Sequence, residues 1–375
     1  MKWKIPLYKI FTDRDDNKAV NKVLQRGMDW AIGHEIAEFE KKIANYIGTK
    51  YCVAFNSGTS AGHAALLAIN INSGEVIVPS FTFISTANWP LMVNAKPKFV
   101  DIEEENFGLN PERVKLEITK NTKAIIPIHY GGRPCKIIEI DRIARNKKIT
   151  LIEDCAEALG AKIKGVSVGT FGQMSIFSFA PNKILTTGEG GAICTDSRKI
   201  FEKLQLIRSH GRLTNENYFK TSQLPNYISI GYNWRMSSMT AALGLSQFDK
   251  LDRIIQLRRR HARFYVLKLK KIKEVTLPDE PKDHLHVYQL FTIQLKNNLI
   301  RNELQKFLAS RGIMTKVFFE PIHLSKFYRK SGFGKKSLPN TEKISQTVLS
   351  LPIFPGLKSE EIRYICDSTQ EFFQN

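Results

Sequence analysis

Hydrophobic and polar positions alternate along this chain in two rhythms. Short apolar runs recur at Tyr51–Phe55, Glu75–Val78, Lys98–Asp101, Ala124–Ile128, Thr150–Glu153, Ser175–Phe179 and Gly191–Thr195. Each has the length of a strand and too few polar alternations for an exposed face, so buried strands are predicted. Helical patterns separate them. Ser60–Ala68 reads as a small-residue helix and Ile138–Lys147 as a helix with one polar face. Strand–helix alternation of this kind predicts an α/β domain with a mostly parallel sheet. Around residue 250 the rhythm changes. Ser238–Arg263 reads as one long, increasingly basic helix, and Asp283–Leu295 returns to strand-like alternation. Arg301–Arg311 is an amphipathic helix ended by Gly312. The change places a domain boundary there. Residues 1–250 form the larger domain with an N-terminal arm, and 251–375 a smaller α+β domain. Internal repeats and low-complexity tracts are absent.

Charge sharpens this division. From Tyr51 to Ala95 the only formally charged side chain is Glu75, and from Gly165 to Thr195 only Lys183 and Glu189 are charged. Gly, Asn and Pro break these stretches too often for a membrane span, so they read as core. The whole chain of 375 residues nevertheless carries a formal charge of +20. Such a balance raises the question of nucleic acid, but no recognition motif accompanies it. The basic residues concentrate at Arg253, Arg258, Arg259, Arg260, Arg263, Lys268, Lys270, Lys271 and Lys273, which reads as a solvated helix face. Five scattered cysteines without a CxxC pair argue against a zinc ribbon or disulfide scaffold and for a reduced, cytoplasmic protein. The first residues show no apolar signal core, so no signal peptide is expected. No metal site is expected.

Four segments could carry chemistry. Asn56-Ser57-Gly58-Thr59-Ser60-Ala61-Gly62 joins a strand to a helix, where free N–H groups and hydroxyls could hold an anion or simply cap the helix. Glu153-Asp154, followed by Glu157, ends a strand, where open α/β sheets place ligands; a pair of helix-start acids would look the same. Lys183 stands in Ser178-Phe179-Ala180-Pro181-Asn182-Lys183, the one basic residue of a charge-poor stretch. A lysine in an apolar setting can serve as nucleophile or base near neutral pH. Gly231-Tyr232-Asn233-Trp234-Arg235-Met236 reads equally as a ligand anchor or as a packed helix start. A phosphate-cradling turn, a carboxylate at a strand end and an isolated lysine together make the parts list for pyridoxal phosphate.

In this combination the chain closely resembles the DegT/DnrJ/EryC1/StrS family of sugar aminotransferases. Trp30-Ala31-Ile32-Gly33, Asn56–Ala61, Pro79–Phe83, Glu153-Asp154, Ser178-Phe179 with Lys183, Thr187–Gly191, Asn233-Trp234-Arg235-Met236, Pro321-Ile322-His323 and Leu351-Pro352 carry the resemblance in order along the chain. It implies a fold-type-I pyridoxal-phosphate transferase: a large domain with a mostly parallel mixed sheet and a smaller C-terminal α+β domain. It also implies roles. Lys183 resembles the Schiff-base lysine and proton shuttle, and Asp154 the partner of the pyridinium nitrogen. Phe83 takes the place of the aromatic stacked on the ring. Gly58, Thr59, Ser60 and Ser178 resemble the phosphate and cofactor contacts. Glu157 stands where Gln or His often approaches the cofactor's hydroxyl, and a carboxylate there resembles perosamine-synthase-like members. Asn233 matches a residue reaching the phosphate from a neighbouring subunit, which implies a homodimer with shared sites. His323 matches a substrate-side His near the site's mouth. Gly62 departs from the larger apolar residue common after this turn, which should affect helix packing more than chemistry.

The activity implied is a ping-pong transfer of an amino group from L-glutamate, leaving 2-oxoglutarate, to a nucleotide-diphospho-keto-sugar. Amination at C4 of a GDP- or UDP-linked 4-keto-6-deoxy sugar, in surface-polysaccharide or O-antigen biosynthesis, fits the Asn233–Met236 run and Glu157. Three rivals remain: a 3-keto-sugar aminotransferase, a pyridoxamine-phosphate-dependent sugar dehydrase and a non-enzymatic regulator. The dehydrases carry His where this chain has Lys183, and a regulator needs neither Lys183 nor Asp154.

Overall fold

A computed structural model describes residues 3–212, 222, 224–334 and 336–374. Its strands are β1 (Tyr51–Phe55), β2 (Glu75–Pro79), β3 (Lys96–Val100), β4 (Thr122–Ile125), β5 (Thr150–Asp154), β6 (Lys162–Ile163), β7 (Val166–Ser167), β8 (Met174–Ser178), β9 (Gly191–Thr195), β10 (Val275–Thr276), β11 (His284–Leu285), β12 (Phe291–Leu295) and β13 (Val348–Leu351). A seven-stranded sheet runs in the order β1-β9-β8-β5-β4-β2-β3. All neighbours are parallel except at β9, which pairs antiparallel with both β1 and β8. Reversing one strand leaves the carboxyl ends of β1, β2, β4, β5 and β8 at one edge, where an open sheet forms its ligand crevice.

The helices are α1 (Arg14–Gln25), α2 (His34–Ile47), α3 (Gly58–Ala68), α4 (Ile84–Met92), α5 (Pro111–Glu117), α6 (Ile137–Lys147), α7 (Arg198–Arg208), α8 (Ser238–Phe248), α9 (Leu251–Leu269), α10 (Asn298–Ser310), α11 (Lys326–Lys330), α12 (Pro339–Thr347) and α13 (Ser359–Gln374). Local chemistry sets many of their starts. Asp13 and Asp16 form a capping box on α1, while Ser57, Ser197, Ser237 and Asn297 accept N–H groups at the starts of α3, α7, α8 and α10. Helix α3 carries apolar residues almost all round, so it is buried rather than lying on the surface. Its Ala64, Ala65 and Leu66 join Val53, Val76, Ile152 and Ile176 from the sheet in one apolar cluster.

The basic helix expected over Ser238–Arg263 is two helices. The break at residues 249–250 is tied to α1: Gln247 donates to Phe11 O and to Asp16 Oδ2, both at 2.9 Å, and Lys250 pairs with Asp13 at 2.9 Å and Asp16 at 2.7 Å. Nor is Arg258 solvated. It is buried, and its guanidinium donates to the carbonyls of Tyr288, Gln289 and Ile353, with burial pushing its pKa down to about 10.

The C-terminal part builds the antiparallel sheet β10-β12-β13. Its apolar cluster joins Tyr265 of α9, Phe291, Leu308 and Ile365 with Ile5 from the N-terminal arm. Ile322, Tyr328 and Leu338 instead return to the cluster of the large sheet. No helix among the described residues is long and apolar enough to cross a membrane.

Candidate active site

The carboxyl ends of the parallel strands open onto a cavity of about 550 Å³. That volume lies within the usual range for small-molecule sites. Ser57, Gly58 and Thr59 after β1, Thr82 and Phe83 after β2, Asp154 at the end of β5 with Glu157 beyond it, and Ser178 at the end of β8 with Lys183 beyond it all line it. Segments far apart in sequence therefore converge because one sheet edge gathers them.

At one end lies the start of α3. Ser57 Oγ accepts the Ser60 N–H at 3.0 Å, and Ser57 O accepts the Ala61 N–H at 3.1 Å. The N–H groups of Gly58 and Thr59 are then the open donors of this turn among the described residues. Ser178 borders them closely: a Cβ at Gly58 would lie 3.1 Å from Ser178 Cβ. Ser60 is committed to the cap, its hydroxyl donating to Asn56 Oδ1 at 2.6 Å, and it does not line the cavity.

At the other end the two acids of β5 divide. Side chains alternate along a strand, so neighbours face opposite ways. Glu153 is fully buried and accepts the N–H groups of Gly169, Phe171 and Gly172 at 2.8, 2.7 and 2.9 Å. The Cys135 N–H donates to His129 Nδ1 at 3.2 Å, so His129 Nε2 carries the proton and faces Glu153 at 3.2 Å. His129, Glu153 and Cys155 bring ligand-type atoms within 4.8 Å, but the Glu153 oxygens are already engaged in tying down the 169–172 loop.

Asp154 faces the cavity. Its Oδ2 accepts the Thr86 hydroxyl at 2.8 Å, and Thr86 in turn lies 3.0 Å from the Thr82 hydroxyl. Its Oδ1 accepts the Ala156 N–H at 3.1 Å. Burial pushes this carboxyl above its ordinary 3.8, against the Thr86 and Ala156 hydrogen bonds and the Lys183 charge. A cationic partner in the cavity would reverse that cost. Lys183 Nζ lies 3.4 Å from Glu157 Oε1, both side chains about nine-tenths covered, and Glu157 Oε2 accepts the Gly131 N–H at 2.9 Å. The lysine loop is braced from β12's side: Gln289 donates to Asn182 O.

Other expected positions fall differently. Phe83 caps α4 at the open side of the cavity, 59% exposed, with its ring 6.4 Å from that of Phe319. Asn233 is exposed and lies outside this cavity's lining. His323 is buried behind the wall, with Nδ1 2.7 Å from the Ser80 hydroxyl and Nε2 3.4 Å from Glu342. It does not reach the mouth expected for it, because Pro321–Leu324 folds back onto the end of β2. Thr86, Trp89, Tyr8 and Lys316 line the cavity without a sequence signal of their own. Gly62 finds its explanation here: a Cβ on it would lie 2.0 Å from Trp89 Cε2, so the indole fills the space a larger residue would take.

A helix start with open N–H groups, a lysine and a buried carboxylate gather at the carboxyl edge of this sheet, the arrangement of a fold-type-I pyridoxal-phosphate enzyme. Comparison with known proteins agrees. Residues 11–370 match the DegT/DnrJ/EryC1/StrS aminotransferase family. The GDP-perosamine synthase of Escherichia coli O157:H7 is 34% identical over 372 residues, 99% of each chain. Among solved structures, Helicobacter pylori PseC, an aminotransferase of pseudoaminic acid biosynthesis, superposes with a TM-score of 0.93 at 27% identity, covering 100% of each chain. DesV of S. venezuelae, solved with a ketimine intermediate, gives 0.90 at 30% identity, again over 100% of each chain. The chain belongs to the DegT/DnrJ/EryC1/StrS aminotransferase family and is a pyridoxal-phosphate-dependent sugar aminotransferase.

Proposed function

We propose that this enzyme transfers an amino group from L-glutamate to C4 of a nucleotide-linked 4-keto-6-deoxy sugar, GDP-linked with a perosamine-type product or UDP-linked, for surface polysaccharide. The observation that carries this is the Lys183–Glu157 pair in one cavity with Asp154, in a chain alike end to end with a GDP-perosamine synthase.

The residues fit the cofactor. Gly58, Thr59 and Ser178 would hold its phosphate, and Ser60 would act only through the cap. Asp154 would pair with the ring nitrogen and Phe83 would cover the ring. When bound, pyridoxal phosphate supplies an electron sink for the substrate carbon that gains or loses the amine. Lys183 Nζ removes and returns the proton at that carbon, because it is the lysine within the covered part of the cavity. Glu157 holds Lys183 Nζ near this position, and the Gly131 N–H holds Glu157. Thr86 and Ala156 keep one face of Asp154 engaged and orient the rest inward.

Residues 1–250 are read as the cofactor domain and 251–375 as the smaller one, supported by an apolar cluster around β10-β12-β13 that takes only Ile5 from the first 250 residues, while Ile322, Tyr328 and Leu338 pack back onto the large sheet. A homodimer is supported by exposed Trp30, Tyr227, Ile228 and Ile230. Asn233, away from its own cavity, would then serve the partner's. The test is a panel of GDP-, UDP- and dTDP-linked 4-keto-6-deoxy sugars and their 3-keto isomers with glutamate, with wild type and Lys183→Ala. Wild type should form a 4-amino sugar and the variant none. Preference for a 3-keto isomer, or turnover by the variant, would overturn the reading.

A further inference from the structure

Lys316 is a cation of the cavity that the chemistry above leaves unused. It lines the same space as Lys183 but is exposed, whereas Lys183 is mostly covered. Asp154, Glu157 and Glu189 are the acids of the lining, and Lys183 and Lys316 its lysines. Lys183 is engaged by Glu157. Among the described residues no carboxylate lies within ion-pair distance of Lys316.

Its backbone is fixed. The Lys316 N–H donates to Ser350 O at 3.2 Å, and the Ser350 N–H donates to Lys316 O at 2.8 Å, which ties the segment to β13. The side chain is not so fixed: its Nζ rests 5.3 Å from the ring centre of Phe318. Such a contact shields the apolar stem and leaves the charge at the water side. Tyr8, Phe83, Phe318 and Phe319 line the cavity too, and among the described residues Lys316 is its exposed lysine and Glu189 its exposed acid.

A nucleotide sugar must enter with its keto carbon towards Lys183. Its diphosphate then trails outward, away from Asp154 and Glu157, and reaches the exposed part of the lining. An anion arriving there meets a cation that has no ion pair to break. We propose that Lys316 anchors the diphosphate of the nucleotide-sugar substrate and so separates sugar nucleotides from free sugars. This rests on the substrate class proposed above.

The test is binding of GDP, UDP and dTDP to the holoenzyme by titration calorimetry at several salt concentrations. Lys316→Ala should lose about tenfold in affinity for the diphosphate that binds wild type best, as expected for a lost charge-assisted contact. Its dependence on salt should be shallower, and Lys316→Arg should restore most of the affinity. Lys326→Ala, on the exposed side of α11, is the control for a general loss of positive charge. Unchanged affinity in Lys316→Ala, an equal loss in Lys326→Ala, or no recovery with arginine overturns the assignment of Lys316 alone. If wild type binds no nucleoside diphosphate and aminates no nucleotide sugar, the substrate class falls, and this inference with it.

Discussion

Gly62 and Trp89 should behave as one packing unit. In an open helix interior, Gly→Ala gains about 1 kcal/mol from propensity. At Gly62 the added Cβ would sit 2.0, 2.3 and 2.3 Å from Trp89 Cε2, Cδ2 and Cζ2. Carbon atoms prefer about 3.5–4.0 Å, so the ring must shift by roughly 1.5 Å or more. It has little room, being 2% exposed within the cluster of Ala61, Ala65 and Val93. Overpacking of this kind costs about 1–3 kcal/mol. Gly62→Ala should therefore be destabilising by about 1 kcal/mol net. Trp89→Ala alone should cost about 3–5 kcal/mol through the cavity it leaves. In that background the ring is gone, and Gly62→Ala should instead stabilise by about 1 kcal/mol. The double-mutant cycle then has a coupling of about 2 kcal/mol. Urea denaturation of the four cofactor-free proteins, followed by far-UV circular dichroism, measures it. A Gly62→Ala protein as stable as wild type, or a coupling below about 0.5 kcal/mol, would refute the packing argument.

Two further outcomes follow from the cavity's electrostatics. Burial raises the Asp154 pKa above 3.8, so in the pH window between the unfolded and folded values the folded cofactor-free protein holds a proton that the unfolded chain releases. This contribution favours folding below that window and is lost as pH rises through it. Asp154→Asn should thus melt higher than wild type at pH 7 without cofactor, with the gap closing towards acid pH, and should bind cofactor worse; a lower melt at neutral pH would contradict this. Glu157→Gln removes the carboxylate that holds Lys183 Nζ at 3.4 Å while keeping an acceptor for the Gly131 N–H. Amine-reactive labelling of Lys183 in the cofactor-free protein, read by peptide mass spectrometry, should become faster, and an unchanged rate would show that the pair does not restrain the lysine.

Much of the fold was readable from the chain because buried strands leave a strong mark. The runs at Tyr51–Phe55 and Gly191–Thr195 coincide with β1 and β9, and the small-residue helix with α3. Where it failed, tertiary contacts overrode local pattern. The helical rhythm of Ser238–Arg263 continues through residue 250, yet ion pairs to α1 divide it. Arg258 looks like a surface residue until the carbonyls of three distant positions surround it.

The sequence by itself determined the chemistry available: a lone lysine in a charge-poor stretch, acids at a strand end and a hydroxyl-rich turn before a helix. These are local facts of composition and spacing, and they sufficed for the cofactor. Only the tertiary structure decided how the parts are used. It turned Asp154 into the cavity and Glu153 onto the 169–172 loop, since pleating sends neighbours to opposite faces. It set Thr86 and Glu157 beside the reacting groups, withdrew His323 behind the wall, and seated Trp89 on Gly62. Those choices depend on contacts between segments tens to hundreds of residues apart, which no short pattern in one chain encodes.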